Sequence, residues 1–295
     1  MKAAALESPR VESFAGDVLT LVKARLSLMV LVTTLVGFLL GWRGPMDWGL
    51  LSATLLGTAL CAAGASALNQ WWERDLDARM KRTRNRPLPA RRMHPSDALL
   101  CGAACSIAGI VLLAGFTNSR AAFLAFATIA IYILVYTPMK RISSLNTLVG
   151  AIPGALPPLI GWLAARGSYQ LEGCLLFAVL WFWQMPHFLA IAWMYREDYA
   201  GAGCIMLPAK DPDGTMTARQ AVLYSLCLLM VTLIQGLIGL NLPIYFFGAL
   251  VLGTAFAAFA VKFLVSREGG SARQLFLVSI LYLPLLLGLL VATRV

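Results

Sequence analysis

Three oxygen-bearing side chains, Asn69, Glu73 and Asp77, recur at intervals of four in Asn69-Gln-Trp-Trp-Glu-Arg-Asp-Leu-Asp77. On a helix each step of four drifts by only about 40°, so all three lie on one face. Carboxylate and amide oxygens without a dedicated cage suit Mg²⁺, a hard cation that keeps several waters and is shared with substrate phosphates. Asp75 lies off this stripe. Directly downstream come Lys81, Arg82, Arg84 and Arg86, with Asn85 and Pro87. Guanidinium groups beside carboxylates fit a metal–diphosphate complex, the metal on the acids and the arginines on phosphate oxygens. A salt-bridged basic loop that merely obeys membrane topology has the same composition.

The elements that must hold these residues are membrane helices. Of 295 residues, 59% are apolar and 13% charged, against roughly 25% charged in soluble domains. Intervals free of Lys, Arg, Asp and Glu cover 26–42, 48–72, 98–119, 121–139, 142–165, 173–195, 220–261 and 274–293. A span needs about 20 apolar residues, so most intervals are one helix long. Residues 220–261 are twice that length and are broken by Asn241-Leu-Pro243, which predicts two helices. The expectation is a single all-α integral membrane domain of nine transmembrane helices over 1–295. Transmembrane strands would alternate polar and apolar residues, and these runs do not. Residues 1–20 carry Glu7, Glu12 and Asp17 and read as a cytoplasmic lead-in, not a signal peptide.

With the N-terminus inside, 20 of the 24 Lys and Arg fall on the inner side; only Arg43, Arg120, Arg166 and Arg294 fall outside. That asymmetry predicts a multi-pass protein of a bacterial-type inner membrane, its long charged loops cytoplasmic. It also accounts for the net charge of +10 without a nucleic-acid partner. The six cysteines form no Cys-x-x-Cys pair and read as small packing groups.

Asn69-x-x-x-Glu73-x-x-x-Asp77 resembles the first Asp-rich signature of the UbiA prenyltransferases. Met80-Lys-Arg-Thr-Arg-Asn-Arg-Pro87 is similar to the branch of that family that farnesylates haem. Tyr136-Thr-Pro-Met-Lys-Arg141, Gly150-Ala-Ile-Pro-Gly-Ala-Leu-Pro-Pro158 and Trp183-Gln-Met-Pro-His-Phe188 agree, as does Arg196-Glu-Asp-Tyr199. The resemblance spans about residues 20–293 and implies a UbiA-like bundle. It implies farnesyl transfer from farnesyl diphosphate to the vinyl group of protohaem IX, with water addition, giving haem O and diphosphate. Mg²⁺ would be the cofactor and the bilayer the setting. A haem A synthase or terminal oxidase assembly factors would be the protein partners.

Residue roles follow by the same route. Asn69, Glu73 and Asp77 would hold metal; Arg82, Asn85 and Arg86, with Lys140 and Arg141 at the end of the fourth span, would hold diphosphate. Lys140 and Arg141 could equally snorkel to headgroups. Where the family carries a second Asp-x-x-x-Asp, this chain reads Tyr195-Arg-Glu-Asp-Tyr199. Glu197 and Asp198 remain as metal ligands there, with Arg196 supplying positive charge. Tyr136 and Trp183 would line the prenyl cavity. His187 lies within a span, where an ionisable group needs a cavity or a partner. The resemblance makes it a ligand of haem iron or a propionate; a core histidine held by a neighbouring helix is the plain alternative. Gly150–Pro158 is expected to loosen the fifth helix. Two other functions are open: a UbiA-type transferase for an aromatic acceptor such as 4-hydroxybenzoate, and a transporter.

Overall fold

Among the described residues of the computed structural model, 13–238 and 241–295, nine helices are long and apolar enough to cross a membrane. A short helix α1 (Phe14–Leu21) leads into the first span, α2 (Ala24–Gly41). Spans two and three are α3 (Trp48–Asp77) and α4 (Pro95–Phe116). The fourth is composite: α5 (Ser119–Ala130), a π-helical turn over Ile131–Tyr136, and α6 (Thr137–Met139). Then come α7 (Asn146–Arg166), α8 (Leu171–Met194), the short α9 (Arg196–Gly201), α10 (Thr215–Leu237), α11 (Pro243–Ser266) and α12 (Gly269–Ala292). The nine-helix expectation is met, including the break between α10 and α11. Lys2, Glu7, Arg10 and Glu12 of the lead-in lie outside the described residues.

Small residues decide how the spans approach, because between helices in lipid there is little hydrophobic force and close packing must supply the attraction. Gly37 and Gly41 of α2 lie one turn apart against α7. A Cβ on Gly37 would stand 1.9 Å from the Pro158 carbonyl oxygen, and one on Gly161 would stand 2.0 Å from that of Thr34. Neither backbone can yield. Accordingly α7 is the most deeply buried span. Gly37→Ala is therefore expected to destabilise by about 1–3 kcal/mol. Gly115→Ala, with no atom within 4 Å of the added carbon, should stabilise by up to about 1 kcal/mol through helix propensity. Thermal unfolding in detergent measures both; equal shifts would remove the close-approach account.

Of the loosening and close backbone approach expected at Gly150–Pro158, the approach is present, the Pro158 carbonyl lying against Gly37. Helix α7 nonetheless runs unbroken through Pro153, Pro157 and Pro158, braced on both sides by α2 and α8. The irregular turn lies in the fourth span instead, just before Pro138. That proline has no N–H to give back to the helix, and the backbone widens into a π turn whose end is closed by Thr137 Oγ1 donating to the Tyr132 carbonyl at 2.8 Å.

Helix α3 sets the position of the acidic face. Thirty residues span about 45 Å, more than the roughly 30 Å of a hydrocarbon core. Its C-terminal turns therefore project beyond the apolar layer, carrying Glu73 and Asp77 to the boundary. The lead-in helix docks there: buried Asp17 takes a forked pair from Arg92, with the shortest contact at 2.7 Å. Gln70 donates to the carbonyls of Thr20 and Leu21.

Candidate active site

Asn69, Glu73 and Asp77 share one face of α3, and all are buried, at 1%, 6% and 3% exposure. A buried carboxylate is costly without a partner, and each has one. Lys140 Nζ stands 2.7 and 2.9 Å from the two oxygens of Glu73. Arg86 Nη1 stands 2.7 Å from Asp77 Oδ2, and Thr83 Oγ1 bonds the Asp77 carbonyl at 2.9 Å, turning the loop back over the helix end.

The orientation of Asn69 follows from its neighbours. Its Nδ2 donates to Glu73 Oε2 at 2.9 Å and to Thr137 Oγ1 at 3.1 Å, so Oδ1 faces the cations. That oxygen accepts from Lys23 Nζ at 2.8 Å and from the Tyr132 hydroxyl at 3.2 Å. Two half-buried lysines thus meet one site with opposite consequences. Burial, then the charges of Arg86 and Lys140, pull the Lys23 ammonium down to about 7. Burial also opposes the Lys140 charge, but Tyr136 and the Glu73 carboxylate outweigh it and hold this lysine above its usual value. Tyr136 lies under the Lys140 ammonium, 4.5 Å from ring centroid to Nζ, and stacks on Tyr132 at 5.6 Å.

Lys23, Tyr132 and Thr137 are absent from the sequence-based site. The signals were Lys23 opening the first span, the Tyr132/Tyr136 pair four residues apart, and Thr137 before Pro138. None is interpretable until the π turn places α5 and α6 against α3.

The remaining expected residues are spread around this centre. Arg82 is pinned on α9, with its guanidinium 5.5 Å from the Tyr195 ring and 5.7 Å from the Tyr199 ring. Asp198 accepts the Lys81 backbone N–H at 3.1 Å, and Glu197 is exposed. Arg196 turns back onto the Trp193 ring at 4.5 Å and onto its carbonyl, away from the acidic face. Arg141 and Asn85 are exposed, the latter giving its carbonyl to Arg92.

His187 and Trp183 belong to a separate group between α8 and α12. Their rings stack at 5.0 Å, and Ser279 holds both: its carbonyl accepts from Trp183 Nε1 at 2.8 Å and its hydroxyl lies 2.7 Å from His187 Nδ1. The Ser279 hydroxyl also lies 2.6 Å from the Phe276 carbonyl. Nδ1 is thus the ring nitrogen engaged by Ser279, which leaves Nε2 to face another group.

The donor set of the acidic face fits Mg²⁺: oxygens only, from one amide and two carboxylates, at the edge of the apolar layer. Among the described residues no group of three or more His, Cys, Asp and Glu side chains converges, and the oxygens of this face are engaged by Lys23, Lys140 and Arg86.

A membrane bundle with most of its ionisable groups at one end, and few strung through the midplane, has the form of an intramembrane enzyme with a one-sided active site. The chain belongs to the UbiA prenyltransferase family, whose pattern matches residues 30–285. It is 44% identical over 287 residues to the protoheme IX farnesyltransferase of Solibacter usitatus (strain Ellin6076), covering 94% of this chain and 98% of that one. It is 42% identical to the protoheme IX farnesyltransferase of Opitutus terrae (strain DSM 11246 / JCM 15787 / PB90-1), covering 97% of each. Solved structures share the fold. Digeranylgeranylglyceryl phosphate synthase matches with a TM-score of 0.81 at 15% identity, over 94% of this chain and 97% of that one. A UbiA homolog from Archaeoglobus fulgidus bound to GPP and Mg²⁺ matches with a TM-score of 0.68 at 16% identity, over 93% and 99%.

Proposed function

We propose that this protein transfers a farnesyl group from farnesyl diphosphate to the vinyl group of protohaem IX, giving haem O. The bond between farnesyl C1 and the diphosphate oxygen breaks, and a bond forms from C1 to the vinyl carbon. Water adds its hydroxyl to the other vinyl carbon, and one proton is released with the diphosphate. The observation that carries this reading is the buried Asn69–Glu73–Asp77 face ringed by Lys23, Arg86 and Lys140, in a chain 44% identical to a protoheme IX farnesyltransferase.

The chemistry needs charge stabilisation more than it needs a base. Bound Mg²⁺ would neutralise charge growing on the leaving diphosphate, with Asn69, Glu73 and Asp77 as its protein ligands. Arg86 and Lys140 stand beside those ligands, where their N–H groups can pass to phosphate oxygens. Tyr136, stacked between Tyr132 and the Lys140 ammonium, would line the prenyl cavity beside the diphosphate. The surrounding helices keep water from that carbon.

Protohaem recognition falls to the second group. With Nδ1 committed to Ser279, His187 offers Nε2 to the haem iron, and Trp183 lies beside it as a flat apolar wall. His187→Ala is expected to abolish the Soret shift of haem added to purified protein, while leaving farnesyl diphosphate binding intact; an unchanged Soret band would move haem elsewhere. The 20-to-4 distribution of basic residues supports an inner membrane with the acidic face cytoplasmic. A haem A synthase or oxidase assembly factors as partners belong to the same reading.

The direct test incubates purified protein with protohaem IX, farnesyl diphosphate and Mg²⁺ and analyses products by mass spectrometry. Farnesylated haem is expected. Prenylated 4-hydroxybenzoate in a parallel reaction, without farnesylated haem, would keep the mechanism and sink the acceptor.

A further inference from the structure

The segment Tyr195-Arg-Glu-Asp-Tyr199 stands where a second pair of metal-binding carboxylates is expected, and its side chains are engaged otherwise. Tyr195 and Tyr199 are four residues apart at the start of α9, so both rings reach one side. What they hold is Arg82, at 5.5 and 5.7 Å from the two ring centroids, with the Arg82 Nη2 donating to the Tyr199 hydroxyl at 3.1 Å. Of the carboxylates between them, Glu197 faces solvent and Asp198 accepts a backbone N–H from Lys81. Tyr199 also packs against the cluster of Leu76, Met80, Ala202, Cys204 and Met206. The clasp is thereby tied to the end of α3 that carries Glu73 and Asp77.

A divalent cation at this position would meet two neutral rings and a guanidinium, which attract no metal, with Glu197 turned to solvent and one Asp198 oxygen already on a backbone N–H. An anion meets the reverse: a permanently charged guanidinium with a planar fork of N–H groups, matched to phosphate oxygens. The ring faces hold that cation without neutralising it, and only one of its five N–H donors is spent on the tyrosine.

We infer that the site takes a single divalent cation, on the Asn69–Glu73–Asp77 face, and that Arg82, clasped by Tyr195 and Tyr199, supplies to the diphosphate the positive charge a second cation would bring. This rests on the prenyl-diphosphate reading above. Arg82 is then a binding residue, and the two tyrosines position it.

The experiment counts metal directly. Purified full-length protein is saturated with farnesyl thiolodiphosphate, an analogue slow to ionise, and titrated with Mn²⁺ while bound and free Mn²⁺ are separated by electron paramagnetic resonance. One Mn²⁺ per chain is expected, and two would overturn the inference. Arg82→Ala should weaken analogue binding about 10- to 100-fold, the worth of a hydrogen bond to a charged group, with the Mn²⁺ count still one. Unchanged affinity would remove Arg82 from the diphosphate. Replacing both tyrosines by Phe keeps the ring faces and should retain most of the affinity, whereas replacing both by Leu should lose as much as Arg82→Ala. Equal affinities for the Phe and Leu variants would refute the clasp. The wild-type count stands even if a variant fails to fold. Wild-type protein that binds no analogue at all would sink the prenyl-diphosphate reading itself, a result distinct from binding with two Mn²⁺.

Discussion

Asp77→Asn should lower kcat/KM for farnesyl diphosphate by on the order of 10²–10³-fold, the usual loss when one charge-stabilising group leaves a preorganised site. The substitution is chosen to spare the fold. Asp77 is buried, and its Oδ2 receives Arg86 Nη1 at 2.7 Å. An asparagine keeps an oxygen for that guanidinium, and the backbone carbonyl still receives Thr83. What disappears is a formal negative charge on the face of α3 proposed to hold the metal, so the Mg²⁺ requirement should rise along with the loss of turnover. Asp75 provides the contrast, being exposed two residues earlier and off the stripe. Asp75→Asn should stay within about twofold of the parent, as surface substitutions away from special features usually do. Product formation across a Mg²⁺ titration checks both. Full turnover by Asp77→Asn at the same Mg²⁺ concentration would take the metal off this face.

Lys140→Ala should cost about 3–5 kcal/mol of stability, the range for breaking a buried ion pair by removing one partner. The pair is largely shielded from water, with side-chain exposures of 13% for Lys140 and 7% for Glu73. Lys140 contacts both Glu73 oxygens, while Glu73 also holds Asn69. Its loss leaves a buried carboxylate held by the Asn69 amide alone among the side-chain contacts given above. The double variant Lys140→Met with Glu73→Leu separates stability from catalysis, since apolar residues of similar size often replace a buried pair without loss. Its melting temperature in detergent should recover most of the deficit, and it should remain inactive. If Lys140→Ala alone melts with the wild type, the pair contributes nothing to the fold.

Much of this protein is legible in its sequence. Charge-free runs of span length require helices, because in lipid every backbone N–H and C=O must be satisfied within its own segment. The four-residue spacing of Asn69, Glu73 and Asp77 placed them on one face by helix geometry alone. The proline at 243 separated α10 from α11 for an equally local reason. Such properties depend on neighbours within a few residues, and local sequence determines them.

The rest was decided between elements. Nothing in the spacing of Lys23 shows that it reaches Asn69, 46 residues away. Nothing in Tyr195 or Tyr199 names Arg82, more than a hundred residues earlier, as what they hold. The proline-rich Gly150–Pro158 reads as a weak helix, yet α7 stays regular because α2 and α8 brace it. The irregular turn moved to Ile131–Tyr136, where it brings Thr137 and Tyr132 onto Asn69. Ser279 carries no motif at all, but its hydroxyl lies 2.7 Å from His187 Nδ1 and so engages that ring nitrogen from a helix 92 residues away. Pairings of this kind cost chain entropy until many spans pack at once, so they are properties of the assembled bundle and of no single segment.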